Sequence, residues 1–209
     1  MGIKERKLRE FENRKNLILE AAKNLFSRNG FSNVTLEKIA NEIEFSKGTI
    51  YSHFESKEEI YALILLEHLN ILLNFLKQAV KTEKTTWEKI KSCLNAYLKF
   101  YRENQEHFKL LFFIEMVSNH YRIPKKLLKE IQMQKIACLI ELQKVIKMGI
   151  NSKEINNDYP IKQVALMLWG MINGLIHLVE SHQIKRSDLD HLIRIGFEIV
   201  SKGLKNKKN

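Results

Sequence analysis

The stretch Ser46-Lys47-Gly48-Thr49-Ile50-Tyr51-Ser52-His53-Phe54-Glu55-Ser56-Lys57-Glu58 decides how this chain folds. A serine hydroxyl accepts a free N–H at a helix start, so Ser46 opens a short helix, predicted to run through Phe54. Ile50 and Phe54, four apart, face inward, and Lys47, Gly48, Thr49, Tyr51, Ser52 and His53 form a small polar face. Ser56 and Glu59 match a capping box that opens a fourth helix. Upstream, Thr35 caps a helix with Leu36, Ile39, Ala40 and Ile43 on its apolar side. Before that, a helix from about residue 10 to 28 carries Ile18, Ala21, Ala22, Leu25 and Phe26 on one face. Gly30 ends it, with a left-handed cap expected there and Phe31 packing back. Two short helices joined by a four-residue turn behind a supporting helix have the form of a helix-turn-helix, whose second helix enters the DNA major groove. Periodicity alone also fits a helical hairpin with a polar surface.

Working outward, the other 150 or so residues read the same way. The chain has 209 residues, 44% hydrophobic and 28% charged, enough to bury a core. Two prolines and eight glycines leave little room for a sheet with many tight turns, and helix-period patterns run nearly end to end. The fold expected is all-α, with a charged arm over residues 1–10 that is flexible at its start. A polar break at Lys81–Thr86 divides it into a head (1–57), a connecting helix (58–80) and a body (81–209). Helices are expected in the body at about 87–103, 107–118, 124–149, 160–183 and 187–205. Pro124 and Pro160 sit at helix starts, where a missing N–H costs least.

A net charge of +11 suggests a polyanionic partner such as nucleic acid. Residues 1–60 hold 11 basic and 10 acidic side chains, however, so bulk charge does not mark the contact surface. Positive charge in the head is local: Lys4, Arg6, Lys7, Arg9, Arg14 and Lys15 crowd its beginning. Cys93 and Cys138 lie far apart within helical patterns and read as reduced, buried thiols. The charged N-terminus lacks the apolar segment of a signal peptide, and a cytoplasmic location is expected. The uncharged run 163–179 is broken by Gln163, Asn173 and His177, which favours a helix buried against a partner over a membrane span.

The run from Ser46 to Glu58, with Ile18 to Phe26, Gly30-Phe31, Thr35 and Ile39-Ala40, closely resembles the DNA-binding head of the TetR family of transcriptional regulators. The resemblance covers about residues 11–62. It implies a dimer of about nine helices per chain, whose three-helix head binds an operator and whose body binds an effector. It also implies DNA contacts at Thr35, Lys47, Gly48, Thr49, Tyr51, His53 and Lys57. The exposed hydroxyls of Ser46 and Ser52 join that set from the pattern of the helix, and Lys57, in the first turn of the next helix, is a candidate phosphate clamp. Two departures stand out. Glu44 occupies a turn position where the family usually has a glycine that tolerates positive φ, so either slight strain or a different turn angle is expected. Leu36 stands where a second threonine is frequent.

In the body, Tyr97, Tyr101, Phe112, Phe113 and Met116, with Trp169, Asn173 and His177, are candidate ligand-binding residues. The same aromatics suit plain helix core. Gly170, Gly174, Leu192, Gly196 and Ile199 are candidates for the dimer interface, which the resemblance places in a bundle of two helices from each chain. Alternatively, these faces close the monomer's own core. Seven basic against two acidic residues over 120–150 could accept an anionic ligand head or form a solvated lysine face. No nucleophile elbow, phosphate-cradling glycine loop or metal-ligand spacing is present, so neither an enzyme nor a cofactor or metal site is expected. The expected function is a ligand-responsive regulator, a repressor, that binds a palindromic double-stranded operator as a homodimer. A small apolar or amphipathic effector, such as a fatty acid, acyl-CoA or multidrug-type compound, releases it. The rival is a helical protein-interaction module that binds no DNA.

Overall fold

The computed structural model describes residues 2–81, 83, 85–105, 108 and 123–205. Among them are eight α-helices and no strand: α1 (Ile3–Asn29), α2 (Leu36–Glu42), α3 (Lys47–Tyr51), α4 (Lys57–Ala79), α5 (Thr86–Glu103), α6 (Lys125–Asn151), α7 (Ile161–Glu180) and α8 (Leu189–Leu204). The expected helix at 107–118 lies outside the described residues, as do Phe112, Phe113 and Met116. The chain divides into two compact units, residues 1–68 with 104–132 and residues 69–103 with 133–209.

In the first unit the core is the predicted stripe of α1, Ile18, Ala21, Ala22, Leu25 and Phe26, against Ile39 and Ala40 of α2 and Ile50 of α3. α1 begins at Ile3, earlier than expected, so residues 3–10 are helical rather than an arm with a flexible start. Their lysines, arginines and glutamates are good helix formers, and nothing between Ile3 and Ile18 breaks the helix. Gly30 ends α1 with φ 73° and ψ 155°, a conformation open in practice only to glycine but extended in ψ rather than left-handed helical. Phe31 packs back, its ring 5.4 Å from that of Phe26 and 5.3 Å from that of Tyr61.

In the second unit, α5 buries Ile90, Cys93, Leu94, Tyr97, Leu98, Phe100 and Tyr101, and α7 buries Val164, Ala165, Leu168, Ile172 and Ile176. Pro124 and Pro160 immediately precede α6 and α7, as expected of residues without an N–H to leave unpaired. Glu154, in the loop after α6, fastens the start of α5: its carboxylate accepts the Thr86 N–H at 3.0 Å and the Thr86 hydroxyl at 2.9 Å. α4 and α7 are long and apolar enough to cross a membrane, yet half of the apolar stretch of α4 and a third of that of α7 are buried inside the protein.

Candidate nucleic-acid interface

The interface is built from two capped helices and the turn between them. The Lys38 N–H donates to Thr35 Oγ1 at 3.2 Å, which fixes the start of α2. The Thr49 N–H donates to Ser46 Oγ at 3.1 Å, which fixes the start of α3. Between them Glu44 takes φ 55°, the strained one of the two outcomes expected there, and the Phe45 N–H bonds back to the Ala40 carbonyl at 2.9 Å. Ile50 is fully buried and Phe54 is 2% exposed, so α3 is held down along the predicted line. α3 ends at Tyr51 rather than Phe54. His53 and Phe54 still bond to the Ile50 carbonyl, in a turn that carries Phe54 into the core.

Ser46, Lys47, Gly48, Tyr51 and Ser52 are exposed and Thr49 is half-buried, so the polar face of α3 is open to solvent. A Cβ on Gly48 would meet nothing nearer than Ser46 Oγ at 3.7 Å, which leaves that spot free for close approach. Tyr51 is 52% exposed. A shallow groove of about 400 Å³ runs past Thr35, Leu36, Lys47, Tyr51 and Lys57. Leu36, where the family often has threonine, gives this groove an apolar wall.

Several of these side chains already have partners. Lys47 is ion-paired with Glu37 of α2; the hydrogen bond and then the Coulomb attraction raise the ammonium's pKa and lower the carboxyl's. Ser52 Oγ donates to the Thr49 carbonyl at 2.7 Å. Lys57, the candidate phosphate clamp, also has partners within the head. Its ammonium donates to the Phe31 and Val34 carbonyls at 3.0 and 2.9 Å and lies 4.4 Å from the Phe31 ring centroid. It closes the α1–α2 connection onto α4, and burial lowers its pKa. At the start of α4, Ser56 Oγ accepts the Glu59 N–H at 3.0 Å, and the Glu59 carboxylate accepts the N–H of Glu55 at 2.8 Å.

His53 is half-buried, its ring 4.1 Å from that of Phe11 on α1. Its Nδ1 is buried and has no hydrogen-bond partner among the described residues. Desolvation, then the nearby charges of Arg14 and Lys15, lower its pKa, with Glu12 a smaller opposing influence. Burial and the two cations thus favour the neutral imidazole, and the first half of α1 stands beside the interface.

The candidate ligand residues are only partly brought together. Tyr97 and Trp169 meet edge to face at 5.0 Å, and Asn173 joins them, accepting the Tyr97 hydroxyl at 2.8 Å and donating to the Trp169 carbonyl at 2.8 Å. Tyr97 and Trp169 line a cavity of about 20 Å³ with Leu76, Leu142 and both cysteines. Tyr101 is buried, but its hydroxyl donates to Glu180. His177 is exposed. Sequence reasoning misses Cys93 and Cys138 as cavity residues, because only tertiary packing brings residues 45 positions apart to one cavity. Burial pushes each thiol up to about 12, so neither is a thiolate near neutral pH.

The five dimer candidates separate clearly. Among the described residues, nothing lies within 4 Å of a Cβ placed on Gly170 or Gly174. Ile199 is 65% exposed and lines a groove of about 420 Å³ with Tyr159, Met167 and Val200. Leu192 is half-buried. Gly196 instead serves packing within the chain: a Cβ there would fall 2.3 Å from Met171 Sδ on α7.

Comparison with known proteins identifies the head. Residues 18–64 match the family model described as bacterial regulatory proteins, tetR family. The HTH-type transcriptional activator FasR of Mycolicibacterium smegmatis is 27% identical over 101 residues, 48% of this chain but only 46% of that protein, so the match spans about half the relative's length. The fatty acid metabolism regulator protein of Bacillus subtilis is 21% identical over 190 residues, 91% of this chain and 95% of that one. In fold, the chain matches the crystal structure of the transcriptional regulator FadR from Bacillus subtilis in complex with stearoyl-CoA, with a TM-score of 0.68 at 22% identity over 90% of this chain and 97% of that one. The capped helix-turn-helix thus matches the tetR family of bacterial regulatory proteins over residues 18–64, and the chain shares its fold with solved transcriptional regulators.

Proposed function

We propose that this protein is a non-enzymatic, cytoplasmic repressor that binds a palindromic operator as a homodimer and is released by a small amphipathic effector of the fatty acid or acyl-CoA class. The observation that carries DNA binding is the open polar face of α3, pinned from beneath by Ile50 and Phe54 and presenting Lys47, Gly48, Thr49 and Tyr51 to solvent. A face of this kind supplies hydrogen-bond donors to phosphates and base edges without burying apolar surface. Support for dimerisation comes from the α7–α8 surface, where Leu166, Met167, Ile195 and Ile199 are all more than a third exposed and Gly170 and Gly174 leave room for a neighbouring helix. α4 and α7 act as core and interface helices, with no membrane span. The acyl-chain class is favoured by the relative of near-equal length named for fatty acid metabolism. The apolar cavity walls formed by Leu76, Leu142 and Leu168, beside the single polar pair Tyr97–Asn173, suit a chain with one polar end.

Selection of duplexes from a random-sequence pool, followed by footprinting, tests this reading. The expected footprint is a near-palindrome whose half-sites lie about one helical turn, roughly 34–36 Å, or a multiple apart. Tyr51→Ala removes an exposed contact and is expected to weaken binding about tenfold or more, whatever the duplex sequence. A protein that selects no duplex is instead a helical interaction module, and unchanged affinity in the variant takes Tyr51 out of the interface.

A further inference from the structure

α1 is twice as long as the head requires. Its buried residues begin at Ile18, so residues 3–17 overhang the core by roughly 20 Å at 1.5 Å per residue. Counting back from Ile18 by 3, 4, 7, 11 and 14 positions along the core-facing stripe gives Lys15, Arg14, Phe11, Lys7 and Lys4. One face of one helix thus changes from apolar to cationic where it leaves the core. The acidic residues of the segment, Glu5, Glu10 and Glu12, fall on other faces, and Glu10 is paired with Arg6 at 3.1 Å. Lys4, Lys7 and Arg14 are exposed and Lys15 is half-buried, and none of the four is ion-paired among the described residues. Phe11 fixes where this face points. Its ring packs on His53, two residues beyond the last residue of α3. The cationic stripe therefore continues the open face of the helix-turn-helix.

We infer that the overhanging half of α1 is a second DNA-contacting element, in which Lys4, Lys7, Arg14 and Lys15 bind backbone phosphates flanking the half-site read by α3. The occupant is duplex DNA because the stripe adjoins the helix-turn-helix face and carries four cations with no acidic residue among them. It rests on the DNA-binding reading above and adds to it a longer, sequence-independent footprint. Such contacts set orientation and affinity rather than sequence preference. Their mark is salt dependence, because each neutralised phosphate on B-DNA contributes about 0.9 to the slope of log affinity against log salt.

The experiment uses the full chain and a duplex selected by the wild-type protein, once with long flanks and once trimmed to the edge of the half-sites. Lys4, Lys7, Arg14 and Lys15 are replaced together by Gln, which keeps helix propensity. A control replaces Arg6 and Arg9, which lie off the stripe, by Gln. On the long duplex the quadruple variant is expected to flatten the slope by about 3 to 4 for each head, while the control keeps it nearly unchanged. On the trimmed duplex the difference between variant and wild type is expected to shrink. An unmoved slope in the quadruple variant, or equal flattening in the control, overturns the inference while leaving operator binding intact. A wild-type protein that binds no duplex overturns both. Because all six positions lie outside the core, matching melting temperatures certify the comparison, and Lys4→Gln with Lys7→Gln alone, expected to lose about half the effect, serves if the half-buried Lys15 proves structural.

Discussion

Glu44 holds a φ of 55° in a turn only four residues long, and the position of the whole DNA-facing helix depends on that turn. A non-glycine residue in the left-handed region costs about 1–2 kcal/mol because its Cβ crowds the following carbonyl. Glycine removes that cost but gives back about 0.5–1 kcal/mol through the greater freedom of the unfolded chain. Glu44→Gly is therefore expected to stabilise the protein by about 0.5–1 kcal/mol, read as a higher urea midpoint at unchanged slope. A lower midpoint would mean that the Glu44 side chain makes a compensating contact. The strain was legible in the sequence because a single family position demanded glycine and held glutamate. The Lys57 interaction was not. Its spacing from Phe31 and Val34, 26 and 23 residues, has no periodicity that a local pattern can report.

At the scale of helices, apolar stripes and caps are legible where they are local. Ser46, Thr35, Ile50 and Phe54 play the parts their spacing assigns. Boundaries are less legible, since helix ends depend on what the last turn packs against. α3 stops at Tyr51 because Phe54 must turn into the core, and α1 extends to Ile3 because its charged residues favour helix without needing a buried face. The glycines of α7 and α8 show the same limit. Gly170, Gly174 and Gly196 look alike in sequence, yet among the described residues only Gly196 meets another helix of the same chain, at Met171. Gly174, where an added Cβ would find nothing within 4 Å, is therefore the clean probe of a second copy. Gly174→Phe is expected to leave the folded monomer intact by circular dichroism and to shift sedimentation from dimer to monomer. A dimer that persists places the interface elsewhere, and a protein that unfolds shows that the position is packed in the monomer after all.

For the molecule as a whole, release from DNA requires an effector that binds one state of the protein better than the other. The cavity beside Tyr97 and Trp169 is about 20 Å³, close to the space of a single water molecule and far below the roughly 300 Å³ of a typical ligand pocket. If the proposed acyl chain binds here, it must open the described core, and binding would then be coupled to a conformational change. The packing also supplies a reporter. Of the two tryptophans, Trp169 lines the cavity edge-on to Tyr97, whereas Trp87 packs against Phe197. In a Trp87→Phe variant, titration with stearoyl-CoA is expected to shift Trp169 emission and to raise the melting temperature, with a stabilisation of about 2.7 kcal/mol once the ligand reaches a hundredfold excess over its Kd. The same concentrations should release the selected duplex. Stabilisation without a change in Trp169 emission would place the ligand outside this cavity. The charged groove of about 540 Å³ lined by Lys91, His191 and Arg194 is the alternative, and Arg194→Ala would then abolish the stabilisation. If stearoyl-CoA gives neither signal and cationic dyes give both, the effector is of the multidrug type, because the opened cavity then accepts flat cations in place of an acyl chain.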